Sequence, residues 1–408
     1  MKKKINHILP ALVLTASLGL TTVSCNGFLD EMPDNRTELN TDQKIAKLLV
    51  SAYADVSPNE LFELYSDNSD DSGPTYGYYK LSEQECYHWQ DTKEEYQDTP
   101  NSLWGGYYSA IAAANMALNA IEEKGNPASL DPQRGEALVC RAYCHFMLAN
   151  IFCNAYDTHA SQSLGVPYME EVETTVSPRY ERGTLEEVYR KVERDLLEGI
   201  GLISDDSYSV PKYHFTRKAA YAFAARFYLY YMKPDFSNCD RVIDFATRVL
   251  GTNPADLLRN WEALGNLSVN GNVQADAYIA SSNEANLLIS STISNWGAIG
   301  SDYLIGPRYF HNQTLATSET CLSSGLWGSS DYFYLKPFST NGFVASILRK
   351  SGLYEGTYLY YMPVLFSTDE TLLCRAEAYA LKKMYSQAAA DITSWQRAYT
   401  RNKSVLTP

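Results

Sequence analysis

The sequence predicts a mainly α-helical protein, in which stacked helical hairpins are interrupted by long irregular loops and a few short strands. Apolar side chains recur at helical spacing through most of residues 41–264 and again through 367–400. Between these regions, residues 57–100 and 265–366 are rich in aromatic and small polar residues and show no sustained period. A chain of 408 residues with 45% apolar content can bury a large core as one domain or two.

Capping residues indicate where the first helices begin. Thr41 precedes an apolar series that ends before Pro58, and Thr184 with Glu187 forms a capping box that opens a helix reaching about Ile203. Between them, apolar stripes predict two longer helices, at about 101–123 and from Asp131 through about residue 152.

Two helical hairpins carry the most specific signal. Residues 216–250 form the first, and 367–400 form the second, which begins at a further capping box of Ser367 and Glu370. In the second pair Ala376, Tyr379 and Ala388 have the spacing of a tetratricopeptide unit, in which small residues let paired helices approach closely. The first pair has Ala225 and Tyr228 at a similar spacing. Several such pairs predict a tetratricopeptide-like repeat scaffold.

The remaining elements of the pattern are loops and strands. Residues 57–100 read as a long acidic and aromatic loop, and long loops in compact domains are often functional. Residues 265–366 read as an irregular, aromatic-rich insert between helical units. Within it, 332–336 and 358–366 have the composition of short strands.

The N-terminus has the pattern of a secretory signal. Lys2, Lys3 and Lys4 precede a short apolar run, and small residues lead to Cys25, a thiol that can take lipid. We therefore predict a lipoprotein signal peptide at 1–24 and a polar, lipidated tether at 25–40. The alternative is an ordinary signal peptide with a chance cysteine, because Thr22 stands where a lipoprotein signal usually has Leu.

Charge narrows the class of partner. The chain has a net charge of −14, and removal of residues 1–24, which hold three lysines and no acids, makes it −17. A strongly acidic protein is a poor ligand for nucleic acid or for anionic lipid headgroups. The 32 tyrosines favour wet binding surfaces in addition to core positions.

Motifs for catalysis and metal binding are missing from the sequence. Cys140 and Cys144 lie one helical turn apart, but buried core thiols are the better interpretation, and His145 is best read as a satisfied core histidine. The acidic run 67–73 lacks the Gly and Glu that an EF-hand requires, so a solvated loop is favoured over a calcium site of another type. We expect no catalytic residues, no metal and no cofactor.

The motifs and their order resemble one family. They are the lipoprotein signal followed by Cys-Asn-Gly-Phe-Leu-Asp-Glu-Met-Pro, the run EALVCRAYCHF from Glu136, the downstream Gly-Val-Pro-Tyr at 165–168, Thr-Arg-Lys-Ala-Ala from Thr216 and Arg-Ala-Glu-Ala-Tyr from Arg375. Together they resemble the SusD/RagB nutrient-binding lipoproteins over nearly the whole chain. The resemblance implies an outer-membrane lipoprotein on the cell surface that captures glycans or other polymers for a SusC-like TonB-dependent transporter. Members usually continue beyond the last helix pair, so a chain that stops at Pro408 is expected to be a shortened member or a fragment.

The resemblance also implies where ligands bind. Family sites lie in the loop after the first helix and in the insert before the last repeat. Sugars offer apolar C–H faces to aromatic rings, and polar side chains bond their hydroxyls. The candidates in these regions are Tyr76, Tyr78, Tyr79, Trp89, Trp296, Trp327 and Tyr332, with Asp67, Asn68, Asp71 and Asn295 as polar partners. For each ring taken singly, packing on the scaffold is an equally good interpretation.

Three functions follow from these observations. The first, which we favour, is a non-catalytic surface receptor for a polysaccharide or glycoconjugate. The second is a glycoside hydrolase or lyase, which requires two carboxylates flanking a sugar and which no motif supports. The third is an interaction protein whose repeats hold a peptide or a partner barrel. The sequence leaves the identity of the glycan open, and a peptide ligand also stays open.

Overall fold

Helices carry the fold, and the predicted mainly α-helical class is confirmed. The computed structural model describes residues 39–75, 80–175, 178–268, 273–295, 308–310, 312–318, 334, 338–339, 342–343, 353–355, 358–401 and 405–407. Within these ranges the helices are α1 Asp42–Leu48, α2 Asn59–Leu64, α3 Leu81–Tyr87, α4 Pro100–Glu123, α5 Asp131–Phe152, α6 Leu185–Leu202, α7 Arg217–Tyr230, α8 Cys239–Leu250, α9 Trp261–Gly265, α10 Val273–Ile279, α11 Gln313–Ser318, α12 Thr368–Leu381 and α13 Tyr385–Tyr399.

The strands are short and pair antiparallel. They are β1 Asp70–Asp71, β2 Asn286–Ile289, β3 Thr292–Ile293, β4 Tyr309–Phe310, β5 Phe338–Ser339, β6 Gly342–Phe343, β7 Leu353–Glu355, β8 Tyr358–Tyr361 and β9 Val364–Ser367. β1 pairs with β4, β2 with β9, β5 with β6, and β3, β8 and β7 form a three-stranded sheet in that order. The predicted strand at 358–366 is therefore present as β8 and β9. Of the strand predicted at 332–336, only Tyr334 lies within the described residues.

Three helices begin at the capping residues that the sequence indicates, Thr41, Thr184 and Ser367. The Thr184 hydroxyl accepts from the Glu187 backbone N at 3.2 Å, and the Glu187 carboxylate accepts from the Thr184 N at 2.9 Å, so this capping box is complete. Ser367 caps α12 in the same way, through the Glu370 N at 3.2 Å. The second half of that box was predicted wrongly. The Glu370 carboxylate instead binds the half-buried Arg226 guanidinium through two bonds of 2.5 and 2.6 Å, because a bidentate ion pair outweighs a solvated cap.

The two predicted hairpins form and lie together. α7 packs on α8, α12 packs on α13, and α12 also packs on α8. The small residues Ala225, Ala376 and Ala388 are buried where the helices meet, as close helix pairing requires. Across the second hairpin the buried Arg375 makes two bonds of 2.8 Å to Asp391, which ties α12 to α13.

Two glycines let α5 and α6 approach closely. A Cβ on Gly199 would lie 2.7 Å from the Gly135 backbone oxygen, and a Cβ on Gly135 would lie 2.8 Å from the Gly199 oxygen. Beside this contact, the buried Arg141 of α5 donates to Asp195 of α6 at 2.6 Å. Backbone contact and a buried ion pair therefore fix the position of this helix pair.

An aromatic cluster forms the centre of the core. Phe215, Phe223, Phe227 and Phe366 are fully buried, and Tyr143 packs edge-on against Phe223 with ring centroids 5.4 Å apart. Because Phe366 belongs to β9, this cluster joins the strands before α12 to the helices α5 and α7.

The first half of the chain differs from the prediction in two places. α1 ends at Leu48 and continues only as a 3-10 turn over Leu49–Ala52. The segment 57–100, predicted as an irregular loop, contains the short helices α2 and α3. Their pattern is hidden in the sequence because their buried faces include Glu60 and Glu83, which a periodicity count places in solvent.

The predicted signal peptide, Cys25 and all of the tether except residues 39–40 lie outside the described residues. No described helix is long and apolar enough to span a bilayer.

Candidate functional site

Trp89 forms an exposed aromatic platform. It follows α3 in a left-handed backbone conformation, with φ 55°, and 75% of its surface is exposed. Its ring stacks on that of Tyr65, with centroids 4.9 Å apart and planes 28° from parallel. A bulky residue with positive φ is uncommon, and such strain persists where the surrounding structure over-determines it. The stack leaves one face of the indole open, which is what a sugar ring requires.

A second aromatic stack lies next to this platform. Tyr87, at the end of α3, stacks on Tyr309 of β4 with centroids 4.6 Å apart, and His88 meets the same ring edge-on at 6.1 Å. Tyr309 is buried, so these contacts fix the turn that carries Trp89 rather than offering a further exposed ring.

The predicted polar partners differ in their exposure. Asp67 and Asn68 are exposed in the turn after α2. The Asp71 carboxylate instead receives two bonds from Arg308, at 2.6 and 2.7 Å, and one from the Gly73 N at 2.8 Å. These bonds, with those from Arg308 the largest cause, hold its pKa below the usual range. Asp71 thus joins β1 to β4, and a role in ligand binding stays a prediction for all three residues.

Asn295 connects the insert to the loop before α4. Its side-chain oxygen accepts from Gln97 Nε2 at 3.0 Å, and its backbone N donates to the Asp98 carboxylate at 2.7 Å. Nearby, the Ile293 N donates to the Asp55 carbonyl at 2.6 Å, which is a further contact between the insert and the first part of the chain. The two regions that the resemblance marks as ligand-binding therefore meet here.

An open cleft of about 480 Å³ lies at this junction. Its lining residues are Asp55, Val56, Glu95, Tyr96, Gln97, Ser102, Gly106 and Ile293. Sequence reasoning did not select Glu95, Gln97 or Ser102 as site residues, since nothing in a short polar stretch distinguishes a cleft wall from any solvated loop. We call it the Tyr96 cleft.

Buried carboxylates lie beneath this loop. Glu60, Glu83 and Asp98 are each at most 5% exposed, and the Lys80 ammonium lies 3.8 Å from both glutamates. Burial raises the pKa of Glu60 well above its ordinary value and also raises the pKa of Glu83 and Asp98. One oxygen on each carboxyl has no hydrogen-bond partner among the described residues. The cluster joins α2, α3 and the loop before α4.

The candidate metal ligands in the helices are core residues. His145 is fully buried, stacks on Tyr168 at 3.8 Å, accepts from the Met169 N and donates to the Arg141 carbonyl, both at 2.9 Å. Burial lowers its pKa to about 3, so the ring is neutral. Cys140 and Cys144 are buried free thiols. In the part of the chain that the structure describes, no three His, Cys, Asp or Glu side chains converge on a metal position.

The other predicted aromatics, Tyr76, Tyr78, Tyr79, Trp296, Trp327 and Tyr332, lie outside the described residues. Trp89 and Asn295 are described: Trp89 lies in the segment that leads from α3 to α4, and Asn295 contacts Gln97 of the same segment.

Comparison with known proteins identifies the family of the chain. Residues 27–229 match the family model SusD-like_3, described as "Starch-binding associating with outer membrane". The chain belongs to the SusD/RagB family. A search of curated proteins gave no match.

Solved structures of the SusD superfamily share its fold. One from Bacteroides fragilis has a TM-score of 0.64 at 15% identity, over 91% of this chain and 82% of that one. One from Parabacteroides distasonis has a TM-score of 0.62 at 15% identity, over 88% and 80%. A putative sugar binding protein from Bacteroides vulgatus has a TM-score of 0.56 at 21% identity, over 91% and 82%. At these identities the likeness establishes the fold of this SusD/RagB chain and leaves its ligand open.

Proposed function

We propose that this protein is a non-catalytic outer-membrane lipoprotein, anchored through Cys25 and facing the exterior, that binds a glycan and delivers it to a SusC-like TonB-dependent transporter. The observation that carries the proposal is the Trp89 platform, an exposed ring held on Tyr65 in a strained backbone conformation. Membership in a family described as starch-binding and associated with the outer membrane supports the same function.

The platform has the chemistry of a sugar site. An aromatic ring buries the apolar face of a pyranose, and the exposed Asp67 and Asn68 are close in sequence to the supporting Tyr65. Burial raises the pKa of Tyr65 to about 12, so its hydroxyl stays protonated at neutral pH. Nothing in this arrangement requires a metal or a reactive nucleophile.

Isothermal titration calorimetry of the mature chain, without residues 1–24, tests the binding step. The titrants are purified neutral and acidic polysaccharides, with soluble starch among them. We expect saturable heat with at least one glycan. Heat that continues after mixing would show turnover and would favour a hydrolase, and silence across the whole panel would favour a peptide ligand.

The anchor and the partner require separate experiments. We expect wild-type cells to incorporate labelled palmitate into the protein and a Cys25→Ser variant to lose both the label and its membrane fraction. For delivery, the mature protein should co-purify with a SusC-like barrel from the same cells. A palmitate label that persists in the Cys25→Ser variant would contradict the anchor at Cys25. The co-purification experiment tests the partner and is independent of that result.

A further inference from the structure

A second cleft adjoins the Tyr96 cleft. It has a volume of about 510 Å³, within the range of about 300–1,000 Å³ that is common for small-molecule sites. Four segments build it: the turn at 50–55, α4, the turn at 213–214 and residues 289–291. The two clefts share Asp55 and Gly106 in their linings. We call this second one the His214 cleft.

His214 is held rigidly in the wall of this cleft. Its Nδ1 lies 2.7 Å from Glu136 Oε1, its ring stacks on Tyr208 at 4.5 Å with the planes 9° apart, and Tyr53 meets it edge-on at 6.0 Å. Glu136 is only 3% exposed. A buried carboxylate and two aromatic rings thus fix both the position and the orientation of the imidazole.

The hydrogen bonds around Glu136 determine which ring nitrogen of His214 can bond a ligand. The Phe215 N donates to the Tyr53 hydroxyl at 2.7 Å, so that hydroxyl donates its own hydrogen to Glu136 Oε1, also at 2.7 Å. His214 Nδ1 donates to the same carboxylate oxygen. In the neutral ring Nε2 is then an acceptor. Among the described residues Nε2 has no hydrogen-bond partner, although the side chain lines the cleft.

The turn that carries His214 is fixed on its other side as well. Lys212 donates to the Asn286 carbonyl at 2.6 Å, which ties the turn to β2. Tyr213, between these two anchored residues, is 38% exposed and lines the cleft. The cleft therefore combines the exposed ring of Tyr213 with Nε2 of His214, a fixed hydrogen-bond acceptor in the neutral ring. Its lining also includes Ser51, Ser109, Ser290 and Ser291.

The charge of the lining selects the class of ligand. Among the described residues no Lys or Arg lines the cleft, while Asp55 lies at the point where the two clefts meet. The groups facing the ligand are thus mostly acceptors and hydroxyls. Saccharide hydroxyls can donate to them, whereas the carboxylates of an acidic glycan would face Asp55 without a described Lys or Arg to pair with.

We infer that the His214 cleft is a second saccharide subsite, specific for an uncharged sugar segment, which holds the continuation of a chain that also enters the Tyr96 cleft. Ser102 of one lining and Ser109 of the other are on the same helix, about 10 Å apart along its axis. One oligosaccharide can therefore occupy both. The inference rests on the proposed glycan-binding function and adds to it a site and a charge preference.

Calorimetry with defined probes tests this inference. The probes are maltoheptaose, cellohexaose, xylohexaose and mannohexaose as neutral chains and a heptagalacturonate as an acidic chain. The two test variants of the mature protein are His214→Ala, which removes the acceptor, and Ser109→Trp, which fills the cleft without touching Glu136. The matched control is Asn119→Trp, at an exposed position about 15 Å further along the same helix.

For the neutral probe that binds, we expect both test variants to weaken affinity by about tenfold or more and the control to stay within about twofold. If His214→Ala does not fold, as judged by its circular dichroism, Ser109→Trp decides. Neutral binding that both test variants leave unchanged would overturn the subsite, while the proposed glycan-binding function would stand. Heptagalacturonate binding that Ser109→Trp removes would overturn the preference for uncharged sugars. Silence with every probe would overturn the subsite together with the proposed function.

Discussion

The ring of Trp89 lies on the ring of Tyr65, 4.9 Å away, while three quarters of the Trp89 surface stays exposed. The stack fixes the plane of the indole before any ligand arrives. A fixed ring loses little entropy on binding, so preorganisation of this kind adds to affinity. Tyr65 is thus a positioning residue for the platform.

Replacement of the platform residue should remove glycan binding. We expect Trp89→Ala to weaken affinity for the bound glycan by about tenfold or more, because one face of the sugar loses its apolar contact. Calorimetry with the glycan identified for the wild-type protein measures this. The matched control is Tyr385→Ala, another exposed aromatic (54%) on α13. Equal affinity of Trp89→Ala and wild type would remove Trp89 from the site.

The close approach of α5 and α6 should be sensitive to a single methyl group. We expect Gly199→Ala to lower the free energy of unfolding by about 1–3 kcal/mol, because the new Cβ meets the Gly135 oxygen at 2.7 Å. Gly201→Ala on the same helix, where no described atom beyond its chain neighbours and the helix's own backbone lies within 4 Å of the Cβ, should instead raise it by about 0.5–1 kcal/mol. Urea denaturation measures both. Similar changes in the two variants would show that helix propensity, and not the close contact, dominates.

The buried carboxyl of Glu60 should make stability depend on pH. Because burial raises the pKa of Glu60 in the folded state, the folded protein holds this proton more tightly than the unfolded chain does. Its contribution to stability is therefore present at low pH and is lost as pH rises from about 4.3 through the folded pKa. Glu60→Gln removes this titration, so we expect greater stability at neutral pH than in wild type.

Urea denaturation between about pH 4.5 and pH 8 checks the Glu60 prediction. Where Glu60 titrates, the fall of wild-type stability with pH should be steeper than that of Glu60→Gln by up to about 1.4 kcal/mol per pH unit. Glu181→Gln, at an exposed position, should follow the wild-type curve. Parallel curves for Glu60→Gln and wild type would mean that the carboxyl does not titrate in this range.

The ion pair within the last hairpin should contribute far more to the free energy of unfolding than a surface pair does. We expect Asp391→Ala to lower the free energy of unfolding by about 3–5 kcal/mol, because it leaves the buried Arg375 charge uncompensated. Asp244→Ala breaks an exposed pair with Arg248 of similar length, 2.9 Å, and should change stability by about 0.5 kcal/mol or less. Comparable losses in chemical denaturation would contradict the buried character of the Arg375 pair.

Local patterns predicted the scaffold well. The helices of the two hairpins, α5 and the capping box at Thr184 are found where periodicity and capping chemistry indicate, since each depends on residues three or four positions apart. The prediction fails at Glu370 and at the two short helices after α1. Glu370 pairs with Arg226, 144 residues away, and Glu60 and Glu83 are buried in the short helices. No local pattern distinguishes such residues from solvated ones.

The candidate site could be predicted only in part. Trp89 was selected from the sequence as a loop aromatic in a region that the family resemblance marks, but its support by Tyr65 and its positive φ depend on how α2 and α3 meet. Asp71, selected on the same grounds, is engaged by Arg308 across the β1–β4 pair. No local pattern marks His214, because its carboxylate partner, Glu136, is 78 residues away.

By itself, the sequence determined that the chain is helical, where the hairpins begin and which family it resembles, because these depend on short-range spacing and on ordered motifs. Only the tertiary structure decided which carboxylates are buried, which ring is supported and exposed, and which polar groups converge on a cleft. These properties arise from contacts between segments far apart in sequence. There burial changes the energy of a charge or a hydrogen bond, and the spacing of residues along the chain does not indicate that burial.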